Sequence, residues 1–146
     1  MTEHVPREIG LELRMRRESV RISSQHRQLD EHWARVREAL ERGETGRARR
    51  TFAHYADALE AHLSLEDDFY YPALHGLSPA LGGELAALAR EHTSLRSSLA
   101  SVREELARSG AATSSSTLTG FFAALADHER REEALLARAL PRVTQG

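Results

Sequence analysis

The sequence contains no cysteine. That excludes disulfides, zinc ribbons, iron–sulfur clusters and thiol catalysis. Any metal bound by this chain must be held by histidine, carboxylate, tyrosine or water. Lysine is also missing: all 20 basic residues are arginine, which reads as compositional bias rather than as a binding device. A strong charge of either sign is absent too. The formal net charge of -2 leaves no footprint for a nucleic acid or a membrane surface. No stretch approaches the roughly 18 consecutive apolar residues that would suggest a bilayer span. The first ten residues, MTEHVPREIG, carry acids and lack the apolar run of a secretory signal. A cytoplasmic protein with neither nucleic-acid nor membrane partners is expected. Its 146 residues suffice for one domain with a real core.

What is present is histidine, eight in all, and six of the chain's chemically active residues fall into a pattern used twice. His26 is followed 36 residues later by His62, and then by Glu66. His92 is followed 36 residues later by His128, and then by Glu132. The second copy lies 66 residues after the first, with no insertion. The repeat extends beyond these six. Val36-Arg37-Glu38 recurs as Val102-Arg103-Glu104, and Leu29, Leu40, Leu59 and Leu74 recur as Leu95, Leu106, Leu125 and Leu140. Residues 25–75 and 91–141 therefore read as two helix hairpins related by a pseudo-two-fold axis.

Four helical segments are expected, each with an apolar stripe stepping by fours and threes. The first covers about Ser19 to Arg42 and is ended by Gly43. The second covers about Thr45 to Leu74, with Pro72 in its last turn. The third covers about Gly83 to Ser109 and is closed by Gly110. The fourth is capped by Ser114, Ser115 or Ser116 and runs to about Leu140, stopped by Pro141. Connections this short make sequential helices antiparallel neighbours. The expected fold is an all-α, up-down-up-down four-helix bundle over residues 19–141. Residues 1–18 form an N-terminal arm or an extension of the first helix, and 142–146 a C-terminal tail. The run Arg14-Met15-Arg16-Arg17 reads as a solvated face, since Glu12 and Glu18 flank it.

All six pattern residues occupy stripe positions, where an aliphatic side chain would complete the core. Burying four imidazoles and two carboxylates together is costly unless something pairs them. A cation does so, with neutral ring nitrogens and ionised oxygens as ligands. One ion cannot easily use four histidines and two glutamates. Two ions can, each taking two histidines, with Glu66 and Glu132 bridging and an oxygen species completing the bridge. Mixed nitrogen and oxygen donors with open positions favour iron, or manganese, over closed structural zinc.

The paired motif, with His62-Leu63-Ser64-Leu65-Glu66, Glu91-His92 and His128-Glu129-Arg130-Arg131-Glu132, resembles the hemerythrin-like, or HHE cation-binding, family. The runs Tyr71-Pro72-Ala73-Leu74 and Ala139-Leu140-Pro141 also look like that family's helix ends. The resemblance spans about residues 19 to 141. It implies a non-haem centre of two iron ions with an oxo or hydroxo bridge, held by His26, His62, Glu66, His92, His128 and Glu132. Oxygen-carrying hemerythrins have a fifth histidine one turn before the third-helix histidine, where this chain has Leu88. They end the motif in His-x-x-x-x-Asp, where this chain has His-x-x-x-Glu. The four-histidine pattern resembles peroxide-disproportionating members, which implies catalase-like reaction with hydrogen peroxide or O₂. Binding or sensing of O₂, NO or iron, or O₂ storage, is the alternative.

The stripe also defines an expected small-molecule pocket. Leu29, Leu59, Leu95 and Leu125 form the apolar layer on one side of the six residues, and Ile22, Phe69, Leu88 and Leu135 the other. Such walls suit O₂, NO or H₂O₂. Tyr55, two turns before His62, has two readings: an extra donor to the metals, or a core ring stacked near Trp33, the simpler of the two. Tyr70, one turn beyond Glu66, has two readings as well: a hydrogen-bond partner at the site, or a residue packing at the helix end, the simpler of the two. Glu91, Glu129, Glu133 and Asp67 are candidate acceptors for the second ring N–H of each ligand histidine. His4, His32, His54 and His75 fall off the stripes and are not favoured as ligands.

Overall fold

The protein, seen in a computed structural model that describes residues 7–112 and 115–140, is an all-helical four-helix bundle. Helix α1 spans Arg7–Glu41 and α2 spans Thr45–Leu65. One turn of π-helix, Glu66–Tyr70, joins α2 to α3, Tyr71–Leu77, so these three pieces form one continuous rod. Helices α4, Gly82–Ser109, and α5, Ser115–Ala139, complete the bundle. No strand occurs among the described residues. Of the two readings for the N-terminal segment, the helical extension is the one observed from Arg7 onward. Its Met15 is fully buried, while Arg14 lies over the Phe69 ring at 5.3 Å. Residues 1–6, Ser114, Pro141 and the tail lie outside the described residues.

Local chemistry explains the turns. Gly43 takes φ 69°, a left-handed conformation that glycine adopts without Cβ strain. Its N–H bonds Leu40 O at 3.1 Å and the Glu44 N–H bonds Ala39 O at 3.0 Å. This paired closure satisfies the last carbonyls of α1. Gly110, also left-handed, ends α4 where an added Cβ would stand 2.3 Å from Thr45 Cγ2. The Arg49 guanidinium donates to Leu106 O at 3.1 Å and Ala107 O at 3.0 Å, covering carbonyls that the end of α4 leaves open. The tight connections force the up-down-up-down order.

The core divides into two clusters. One holds Leu29, Leu59, Leu95 and Leu125 with Trp33, Tyr55, Phe52 and Phe121. The other holds Met15, Ile22, Tyr70, Tyr71, Leu88 and Leu135, with Phe69 half-buried against it. Neither cluster includes a histidine or glutamate. The six pattern residues are all buried, and they interrupt the apolar stripes at the steps between the two clusters. The stripe of the second rod departs from a pure α-helical register after Glu66: Tyr70, Tyr71 and Leu74 are buried, with Phe69 and Ala73 only half so. The π-turn causes this, because its wider turn shifts every later side chain around the rod.

Candidate metal centre

Each of the four bundle rods contributes to one buried cluster: His26 from α1, His62 and Glu66 from the second rod, His92 from α4, and His128 and Glu132 from α5. None is more than 5 % exposed, and Glu66 and His92 are sealed completely. The side chains form two quartets, His26, His62, Glu66, Glu132 and Glu66, His92, His128, Glu132, with the donor atoms of each within 4.8 Å of one another. Both glutamates belong to both quartets. Glu66 Oε1 lies 3.4 Å from His62 Nε2 and 3.3 Å from His92 Nε2. Glu132 divides its oxygens, Oε1 standing 3.2 Å from His26 Nε2 and Oε2 3.7 Å from His128 Nε2. The Nε2 atoms of His92 and His128 are 3.1 Å apart.

The outward nitrogens are tied down with the same symmetry. His62 Nδ1 meets Gln25 Oε1 at 2.6 Å, and 66 residues on, His128 Nδ1 meets Glu91 Oε1 at 2.7 Å. His92 Nδ1 meets Asp67 Oδ1 at 2.7 Å, and His26 Nδ1 meets Glu133 Oε1 at 3.1 Å, again one repeat apart. Three of these contacts are to carboxylates and the fourth is to the Gln25 amide oxygen, all acceptors, so each Nδ1 carries a hydrogen and each Nε2 faces inward. Two partners are themselves anchored. Arg96 holds Asp67 at 3.1 Å and Glu60 at 3.1 Å, and Arg131 forks onto Glu91.

Residues 19–140 match the family model described as the hemerythrin HHE cation binding domain. The chain belongs to that family. No curated protein and no solved structure matches it. For a member of a cation-binding family, the decisive question is whether these residues fit a cation, and their unpaired atoms answer it. Both Glu66 oxygens, Glu132 Oε1 and His26 Nε2 are buried without a hydrogen-bond partner. Buried carboxylate oxygens are ordinarily paired, and leaving one bare costs about 1–3 kcal/mol or more. A cation would satisfy all four atoms at once.

The electrostatics of the metal-free cluster show the same demand. Burial, and then the adjacent Glu132, push the Glu66 carboxyl well above its usual range. Burial also works to raise Glu132, but the adjoining Glu66 and His26 and the hydrogen bond from Tyr71 hold it well below. Burial works to lower His26, yet the adjacent Glu132 carboxylate, the charge of Glu129 and the hydrogen bond to Glu133 push it up to about 9. Burial brings His62 down to about 4, its nearest outer partner being an uncharged amide. Protons thus occupy part of the cluster where positive charge is wanted.

Several of the weighed residues stand apart from the six. Tyr55 is fully buried, packed on Trp33 with ring centroids 5.4 Å apart, and its hydroxyl has no hydrogen-bond partner. Tyr70 donates to Glu18 at 2.9 Å, away from the six. Tyr71, which the helical spacing did not single out, takes the place expected of Tyr70. Its hydroxyl donates to Glu132 Oε2 in a short hydrogen bond and stands 3.3 Å from His92 Nε2. The cause is the π-turn: the Tyr71 N–H bonds Glu66 O, five residues back, so Tyr71 rather than Tyr70 follows Glu66 around the rod. Of the expected outer acceptors, Asp67, Glu91 and Glu133 are in place. Glu129 stops 4.0 Å from His26 Nδ1 and is pushed up to about 7 by burial, with Asp30, Glu132 and Glu133 adding to the rise against His26. Gln25 is the acceptor that a search for carboxylates passes over. Leu88 is buried in the second cluster and offers no donor. His32 is half-buried, and His54 and His75 are exposed.

Two clefts approach the cluster from the side of α1. One of about 350 Å³ is lined by Ser23, His26, Asp30, Glu129 and Glu133 among others. A smaller one of about 140 Å³ reaches Gln25, Leu29, His32 and His62. Both touch the His26–His62 quartet. Leu59, Leu95 and Leu125 are packed into the core cluster behind it.

Proposed function

We propose that this protein is a non-haem di-iron protein that reacts with hydrogen peroxide or dioxygen, with peroxide disproportionation as its activity. On this reading, His26 and His62 hold one ion, His92 and His128 the other, and Glu66 and Glu132 lie between them. The observation that carries it is Glu66, a sealed carboxyl whose two oxygens lack a hydrogen-bond partner while imidazole nitrogens of both quartets stand 3.3–3.4 Å away. Mixed nitrogen and oxygen ligation favours iron, with manganese as the other metal such donors accept. Two adjacent redox-active ions supply Lewis acidity and electrons to a small oxygen species.

The chain's own residues do the rest. Gln25, Glu91, Asp67 and Glu133 fix the histidine tautomers, which keeps every Nε2 free to ligate. The leucine layer of Leu29, Leu59, Leu95 and Leu125 keeps bulk water and organic molecules from one side. The cleft at His26 leads from solvent past Ser23 and Asp30, a passage that suits a small polar molecule such as H₂O₂. Leu88 supports reaction over oxygen carriage: it is a buried aliphatic residue where the resembled oxygen carriers have a further histidine, which leaves fewer nitrogen donors.

Addition of hydrogen peroxide to the iron-loaded protein should release O₂ faster than the same concentration of free iron. Equal rates would sink the peroxide reading while leaving the metal centre standing.

A further inference from the structure

Tyr71 breaks the two-fold symmetry of the cluster on its inner side. In the second rod, the π-turn carries Tyr71 to Glu66's side of the helix, and its ring stacks on His92 with centroids 5.3 Å apart and planes 28° from parallel. Helix α5 has no such turn after Glu132, and the buried residue one α-helical turn on is Leu136, which has no donor atom. The two quartets therefore match in histidines and glutamates and differ in one oxygen.

That oxygen stands among the donor atoms. Tyr71 Oη is 3.3 Å from His92 Nε2, the separation that Glu66 Oε1 keeps from the same nitrogen, and close to the 3.1 Å between His92 Nε2 and His128 Nε2. Neighbouring donors on a six-coordinate ion with bonds of about 2.1 Å stand about 3 Å apart. The hydroxyl also touches Glu132 Oε2, another member of the quartet. A phenol placed only to fill the core would have no reason to face two ligating groups. Tyr55 shows the contrast: it is equally buried, but its hydroxyl meets no partner.

Resting on the di-iron reading above, we propose that Tyr71 is a fifth protein donor to the ion held by His92 and His128. As the cation is taken up, the phenolic O–H bond breaks, an oxygen–metal bond forms, and the proton leaves to solvent, as it does from other acidic groups on bound metal. The Tyr71-bound half is then more fully coordinated by protein than the His26–His62 half. The His26–His62 half is the one both clefts approach, so a small exogenous ligand would reach the centre from that side.

The test needs no activity. Metal-free protein is loaded with Fe²⁺ and oxidised in air, its iron is counted, and visible absorption and resonance Raman spectra are recorded. The expected result is a phenolate-to-Fe(III) charge-transfer band whose Raman modes shift when the chain's three tyrosines are ring-deuterated. Tyr71→Phe should lose the band and keep both irons, while Tyr70→Phe and Tyr55→Phe should keep the band. A native protein with both irons and no phenolate modes overturns the proposal, as does a Tyr71→Phe variant that retains them. The isotope shift is read on the native chain, so the test stands even where the variant fails to fold. Failure to bind iron at all overturns the di-iron reading itself, and is told apart by the iron count.

Discussion

His62 Nδ1 lies 2.6 Å from the amide oxygen of Gln25, where its counterpart one repeat later, His128, meets a carboxylate. This single exchange makes the two halves of the cluster electrically unlike. A carboxylate behind a ligating imidazole raises its basicity, and an amide does so less. Asp67 and Glu91, the partners of His92 and His128, are each pinned by an arginine. Glu133, the partner of His26, is 47 % exposed. The quartet of His92 and His128 is the firmer one.

Gln25→Ala should therefore weaken one ion and spare the other. Loss of a partner of this kind typically costs about 10–100-fold in metal affinity. Chelator competition should show one iron released early in the variant and the second released as in the native chain. Equal release of both would contradict the asymmetry.

The metal-free protein should lose stability as pH rises above 6.5. His26 has its folded pKa raised from 6.5 to about 9, so its stabilising proton is fully present below 6.5 and is lost as pH rises through about 9. That contribution is on the order of 3 kcal/mol at most. Glu66, also raised, and Glu129, raised to about 7, cost stability progressively as pH climbs above 4.5. His62 has its folded pKa lowered to about 4, so it favours the unfolded chain progressively as pH drops from 6.5 toward 4. Urea midpoints of chelator-treated protein at pH 5, 6.5 and 9.5 check this, and a midpoint still rising at 9.5 would contradict it.

Metal uptake should release protons. At pH 7 His26 holds one in the metal-free state, burial and Glu132 push Glu66 in the same direction, and a ligand must give its proton up to bind. Calorimetric titration with Fe²⁺ under anaerobic conditions should give an enthalpy that varies with the ionisation enthalpy of the buffer. A buffer-independent heat would contradict the placement of those protons.

Tyr55→Phe should be neutral or stabilising by up to about 1–3 kcal/mol, because it removes a buried hydroxyl that has no partner. Thermal denaturation and the iron count together test this. A variant that loses iron would revive Tyr55 as a donor.

Much of this architecture could be read from the sequence, and the failures have physical causes. The 66-residue repeat located both hairpins and all six cluster residues, because burial of a polar side chain at a stripe position leaves a gap in the apolar pattern. Applied to Glu91, the same offset points to Gln25, but an expectation of charged acceptors hid it. Tyr71 was not legible. Periodicity assumes 3.6 residues per turn, and the single π-turn at Glu66 changes the count just where the site lies. The sequence patterns also left open whether the N-terminal segment packs loosely or continues α1. Met15, sealed against the second cluster, shows which.

The central claim is that the buried carboxylates and imidazoles are waiting for iron. Metal analysis of the purified chain, read with its ultraviolet-visible spectrum, tests it most directly. The account predicts about two irons per chain with oxo-bridge charge-transfer bands, both lost in Glu66→Ala. A well-folded native chain that takes up no stoichiometric metal from added Fe²⁺ would contradict it.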